Sequence, residues 1–358
     1  MGAQSGMLIE FLFAIGKALG LILMGFLASR FKYISPQVGL GLSEFVGKVA
    51  VPAALFRSLS SLPIFPGQDG VAVEFNVLMC GFAAKFVLFV IAALLGLVLR
   101  KSLATCAVFG LVCSLSNDAA LGLPILNTTH PQVGASLIFL MTLPCCALLL
   151  PMGLAMCEFS SRSKKKGKGS GEGFVSVLAV TLSRVARQPL IASVALAVAY
   201  NYATNATKLP RAVDQCLESV MGSLIVSALF ALGSSLVNTT FTFDALFTPM
   251  ILVVLKLLGP GLVCRLTASP VFGFDSSSSL ELLSIYSALP AAPIVWAIAR
   301  EQKADPDAIG NSVVLGTLLC GPVMIMENDG FRKEATELAG VLFQQIQDIT
   351  GVHIEKEL

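Results

Sequence analysis

The stretch Cys113-Ser-Leu-Ser-Asn-Asp-Ala-Ala-Leu-Gly-Leu-Pro-Ile-Leu126 decides how this chain is read. It lies in a long apolar run, yet it sets Asn117, Asp118, Gly122 and Pro124 where an uninterrupted helix calls for leucine and alanine. Proline removes a backbone donor and clashes with the preceding turn, so the run is expected to break here. A second stretch, Ser284-Ile-Tyr-Ser-Ala-Leu-Pro-Ala-Ala-Pro-Ile-Val-Trp296, carries Pro290 and Pro293 in the same relative place of its own run.

Such breaks matter because the runs are written for lipid. Of 358 residues 55% are apolar and 13% charged, with a mean hydropathy of +0.82, whereas a soluble domain carries about a quarter charged residues. Apolar runs fall at about 7 to 29, 38 to 60, 72 to 99, 103 to 127, 132 to 157, 188 to 203, 213 to 237, 243 to 268, 281 to 301 and 306 to 326. About 20 apolar residues span a bilayer. The expected fold is therefore an all-α polytopic membrane protein with ten transmembrane helices.

The Gly/Ser/Lys-rich stretch from Ser160 to Gly173 divides the runs five against five. The expected organisation is a first five-helix repeat at 7–157, a basic linker with an amphipathic lead-in at 158–187, a second repeat at 188–326 and a polar amphipathic tail at 327–358. Each half carries one lysine deep in its third run, Lys85 and Lys256. Lys85 precedes Pro124 by 39 residues and Lys256 precedes Pro293 by 37. An intramembrane lysine costs about 2.5 to 3.5 kcal/mol on insertion scales, so it faces a partner or a cavity. Two at matched spacing indicate a duplication, and an odd number of spans per half makes the second copy inverted, as in many secondary carriers.

Basic residues in short loops predict the topology. Arg30 and Lys32, Arg100 and Lys101, Arg162 to Lys168, and Arg300 and Lys303 mark cytosolic loops, which leaves both termini on the other side. The sequons at Asn127 and Asn205 fall on that non-cytosolic side, and the one at Asn238 does not. Nine scattered cysteines without a C-x-x-C, and two histidines, His130 and His353, in polar segments, form neither a disulfide framework nor a metal site. Neither a membrane-embedded Ser/His pair nor a paired-Asp signature of an intramembrane protease is present. No enzymatic role, cofactor or nucleic-acid partner is expected.

The segments Gly25-Phe-Leu-Ala-Ser-Arg30, Val51-Pro-Ala-Ala-Leu-Phe56, Ser116-Asn-Asp-Ala-Ala-Leu-Gly-Leu-Pro124 and Ala288-Leu-Pro-Ala-Ala-Pro-Ile-Val295 together resemble the auxin efflux carrier family, also called PIN-like carriers. The resemblance covers residues 10 to 326 and implies two inverted halves in which broken helices four and nine cross. It further implies a scaffold of spans 1, 2, 6 and 7, through which a second copy of the chain is a candidate partner, and a transport domain of spans 3 to 5 and 8 to 10. Family members move auxin or other organic anions without ATP.

By motif, Gly122, Pro124, Pro290 and Pro293 are then crossover residues, and Ser116, Asn117, Asp118, Ser287, Lys85 and Lys256 are candidates for binding substrate or ion. Positive helix ends and two ammonium groups favour an anion, and Asp118 is the natural counterion or proton carrier. The lysines either touch substrate or donate to carbonyls freed by the opposite broken helix. A non-transporting sensor of sterol, membrane lipid or another small ligand on the same fold is the competing reading. The membrane is expected to be the plasma membrane or an endolysosomal one.

Overall fold

The computed structural model describes residues 5–61, 75–122, 125, 126, 129, 130, 134–165, 183, 187, 189–205, 207–238, 243–274, 276–327 and 336. Pro124, most of the expected linker and nearly all of the expected tail lie outside the described residues. The described elements are α1 (Ser5–Arg30), α2 (Pro36–Phe45), α3 (Val51–Ser60), α4 (Phe75–Val98), α5 (Leu103–Ser114), α6 (Gly134–Pro144) and α7 (Leu150–Lys165). They continue with α8 (Pro189–Thr204), α9 (Arg211–Ser235), α10 (Phe243–Phe272), α11 (Ser277–Ser287), α12 (Pro293–Glu301) and α13 (Pro306–Glu327). Helix α7 runs on to Lys165, so the first residues expected as linker continue a helix.

Three wide π turns, Val46–Ala50, Asp118–Gly122 and Cys145–Leu149, interrupt this pattern. Each is centred four residues before a proline of the sequence, Pro52, Pro124 and Pro151. A proline has no N–H for the carbonyl four residues back, and its ring presses on that carbonyl. A turn one residue wider relieves both. Proline alone does not produce such a turn, since Pro249, Pro260 and Pro270 lie inside α10 and Pro322 inside α13 without one.

Two true breaks occur where the sequence places its polar and proline-rich stretches. Helix α5 stops at Ser114, and Leu115 turns extended at φ −89° and ψ 122°. Helix α11 stops at Ser287, and Ala292 is extended at φ −67° and ψ 135° before Pro293 opens α12. A residue before proline is pushed out of the helical region, and proline suits a helix's first position, so this second break follows from the sequence. The first break begins earlier than the position of Pro124 suggests.

The two extended segments pair in an antiparallel bridge, Ser116 opposite Ala291. Asn117 N–H donates to Pro290 O at 2.8 Å and Ala292 N–H donates to Leu115 O at 3.1 Å. Backbone freed by each break is thus satisfied by the other, the condition for unwound chain at membrane depth. Among the described residues this bridge is the only β pairing.

Around the paired breaks the helices pack against one another in pairs. Helix α4 lies along α5 and α10, α1 along α9, and α3 along α8. The α1–α9 contact is backbone to backbone. A Cβ at Gly25 would run into the carbonyl of Phe230, and one at Gly233 into that of Ile22. Small residues permit such approach where no hydrophobic force drives helices together in lipid. Ser29 and Ser234 share a hydrogen bond of 2.7 Å across the seam.

Helix α4 is apolar on both faces. Cys80, Ala84, Leu88, Phe89 and Ala92 are buried, while Phe86, Val90, Leu94 and Leu97 are exposed. Such a helix suits a core on one side and hydrocarbon on the other. Among the described residues six helices are long and apolar enough to cross a membrane: Gln37–Ser60, Phe75–Val98, Leu140–Ser161, Arg211–Ser235, Leu246–Phe272 and Pro306–Glu327. Leu103–Ser114 and Ile191–Thr204 are shorter apolar helices. The chain is an all-helical, multi-pass membrane protein.

Candidate functional site

The paired breaks bring together most of the residues singled out by the sequence. Lys85 on α4 and Lys256 on α10 are both 2% exposed. Both aim at one oxygen: Lys85 Nζ donates to Ser116 Oγ at 3.2 Å and Lys256 Nζ donates to it at 2.7 Å. Among the described residues the partner they share is thus a side-chain hydroxyl. Lys85 Nζ also donates to Tyr286 Oη at 2.5 Å and stands 4.3 Å from the centre of that ring.

Asp118 opens the π turn beside them. Its Oδ2 accepts from Thr142 Oγ1 at 3.0 Å and from Tyr286 Oη at 3.4 Å. Among the described residues it forms no ion pair with either lysine. Among the described residues its Oδ1 and the side-chain nitrogen of the buried Asn117 have no hydrogen-bond partner. Unmatched buried polar atoms are uncommon, and here a donor and an acceptor lie on adjacent residues.

Gly122 closes the π turn, where its N–H and that of Leu121 both donate to Asn117 O. A Cβ on Gly122 would press on the side-chain ends of Leu289 of the other break and of Ile138. Pro290 contributes its carbonyl to the bridge. Ser287 is buried beside Gly261 of α10, and neither lysine's hydrogen bond among the described residues goes to it.

A cavity of about 750 Å³ reaches this cluster. Lys85, Ser116, Asn117 and Asp118 line its inner end, together with Pro293 at the start of α12. Its walls are mainly apolar, with Val46, Val51 and Leu55 on one side, Met221, Leu224 and Ile225 of α9 on another, and Ile138, Cys145 and Leu150 on a third. Residues of all three π turns therefore face it. Lys256, Ser287, Pro290 and Gly122 do not line it.

The outer end carries Arg57, Ser61, Lys208 and Asp214. Arg57 holds Asp214 with Nε–Oδ1 at 2.7 Å and Nη2–Oδ2 at 3.2 Å, and its Nη2 stands 3.5 Å from Glu218. Sequence reasoning missed Tyr286, Thr142 and this rim. A phenol next to Ser287 in the second interrupted run was a usable signal for Tyr286. Nothing in the sequence signalled Thr142 or the Arg57–Asp214 pair, which joins residues 157 positions apart.

The cavity presents the Lys85 ammonium, the Ser116 hydroxyl and the Asn117 amide at its inner end, with Lys256 behind Ser116, and mainly apolar walls elsewhere. No cluster of His, Cys, Asp or Glu that could hold a metal ion is found among the described residues. The chain is 27% identical over 321 residues to the lysosomal cholesterol signaling protein of Mus musculus, a match covering 87% of this chain and 36% of that relative. The chain thus spans about a third of that relative's length. Residues 12–326 match the profile of the membrane transport protein family, and the chain belongs to that family, the auxin efflux or PIN-like carriers.

Proposed function

We propose that the chain is a secondary, non-ATP carrier of small organic anions, auxin-like or carboxylate, working by alternating access at the paired breaks. The observation that carries this reading is the convergence of Lys85 and Lys256 on Ser116 at the inner end of an otherwise apolar cavity. Cations this deeply buried need a counter-charge, and an anionic ligand supplies one.

The architecture behind this reading is ten spans in two inverted halves, 7–157 and 188–326, joined at 158–187 and followed by a tail at 327–358. Two features support it. Packing of α1 on α9 and of α8 on α3 become equivalent when the halves are exchanged. Ser116 follows Lys85 by 31 residues, and Ser287 follows Lys256 by the same interval. With the basic loops cytosolic, the rim of Arg57 and Lys208 faces the non-cytosolic side, along with both termini.

Uptake into proteoliposomes tests the reading, with labelled indole-3-acetate and a panel of aromatic and aliphatic carboxylates as probes. A carrier accumulates at least one probe well beyond one molecule per protein. Saturation at one equivalent, with sterol competing, would favour the sensor reading, whose support is the name of a relative matched over 36% of its length.

A further inference from the structure

We propose that Lys256 is the proton-coupling group of this carrier, gaining one proton as a monovalent anion binds at Ser116 and returning it as the anion leaves. The inference rests on the reading of the cavity as an anion site and goes beyond it by assigning the coupling ion, its residue and its stoichiometry.

The two lysines differ in surroundings. Lys85 lines the cavity and has two oxygen partners, Ser116 Oγ and Tyr286 Oη. Lys256 does not line the cavity, and among the described residues its hydrogen-bond partner is the same Ser116 Oγ. A hydroxyl oxygen has two lone pairs, and here each receives an N–H from a lysine, which Lys256 can supply as amine or ammonium. Ser116 therefore has no acceptor capacity left for an incoming group and offers only its own O–H.

Charge counting then separates the states. The titratable groups whose charges reach Lys256 are Lys85 on α4, Asp118 on the π turn, Cys113 on α5 and Cys145 on the second π turn. Tyr286 on α11 faces Lys85 and Asp118. With thiols and phenol neutral, two ammonium groups and one carboxylate leave an empty, buried cluster with one uncompensated positive charge. Entry of a monovalent anion cancels it. Loss of one proton from Lys256 cancels it equally, because an amine can release its proton where a guanidinium cannot. The balanced step is anion plus H⁺ from solvent plus the neutral Lys256 amine giving bound anion and Lys256 ammonium. Ser116 Oγ, which lines the cavity and touches Lys256, joins the two events.

Two measurements on the full chain test this. Calorimetric titration of indole-3-acetate, or of whichever carboxylate binds, into purified protein in buffers of different ionisation enthalpy counts the protons taken up. The expected count is about one per anion in the wild type and close to zero in Lys256→Arg. In proteoliposomes Lys256→Arg should keep anion counterflow at reduced rate while net uptake driven by an acid-outside gradient falls about tenfold further.

Saturable binding with no proton uptake in the wild type overturns the proposal and leaves the anion site intact. A count near one that persists in Lys256→Arg, or in Lys256→Met if the arginine variant fails to insert, assigns the proton elsewhere and overturns it too. Absence of binding by any carboxylate removes the anion reading itself and this inference with it.

Discussion

The backbone N–H of Asn117 donates to the carbonyl of Pro290 across 2.8 Å, so the break in one half of the chain is closed by the break in the other. Asn117 and Ala292 each find their backbone acceptor in the other interruption rather than in their own. The substitution Ala292→Pro tests this mutual support, because Ala292 already has φ −67°, the value proline imposes. It removes the N–H that bonds Leu115 O and puts a methylene in its place. A lost buried hydrogen bond costs about 1 to 3 kcal/mol. The detergent-solubilised variant should unfold at a lower temperature than wild type and transport more slowly. An unchanged midpoint would show that the two breaks are independently stable.

Much of this arrangement was legible because the local chemistry is strong. Pro290 and Pro293 dictate extended chain before a helix start, and Ala292 and α12 follow that rule. The lysines stood out because charge is rare in apolar runs. What the sequence concealed depends on pairing at long range. Helix α5 ends at Ser114, although no breaker precedes Asn117, because Leu115 accepts from Ala292. Both lysines turn to Ser116 in the first half, although Ser287 occupies the matching place in the second, and no spacing rule foretells that asymmetry. The π turns follow the proline-minus-four positions of Pro52, Pro124 and Pro151, yet prolines in α10 and α13 show that tertiary fit decides which prolines act so.

Tyr286 ties the cavity's cation to its carboxylate, since its hydroxyl accepts from Lys85 and donates to Asp118. Tyr286→Phe keeps the ring beside the ammonium and deletes both contacts. Hydrogen bonds to charged groups are worth about 1.5 to 3 kcal/mol, which corresponds to roughly a 10- to 150-fold change. Initial uptake of the best carboxylate probe should fall within that range at equal reconstituted protein. A rate within twofold of wild type would mean that the phenol only fills space.

At the rim, Arg57 is neutralised by Asp214 and Glu218. Asp214→Asn frees the guanidinium to join Lys208 at the cavity's outer end. Stability should change by less than about 1 kcal/mol, because exposed pairs contribute little. Anion capture should improve, with a lower KM at low salt, and the gain should vanish as ionic strength shortens the screening length below about 10 Å. Arg57→Gln should act in the opposite sense. The check is KM for the same probe at several salt concentrations, and a salt-independent KM in both variants would detach the rim from substrate capture.

Gly222 gives a direct test of the cavity as the substrate's place. It lies on α9, lines the cavity, and has open space where a Cβ would stand. Its position contrasts with that of Gly233 on the same helix, where a Cβ would meet the backbone of α1. Gly222→Ala should therefore fold as well as wild type or better, since alanine favours a helix by about 1 kcal/mol over glycine, and should transport normally. Gly222→Trp adds bulk to the cavity from the α9 side and leaves Lys85, Ser116 and Asp118 themselves unaltered. It should insert and retain its thermal midpoint while uptake falls to background. Normal transport by a well-folded Gly222→Trp would mean that the anion travels by another route, and the site proposed at the paired breaks would then have no access from this cavity.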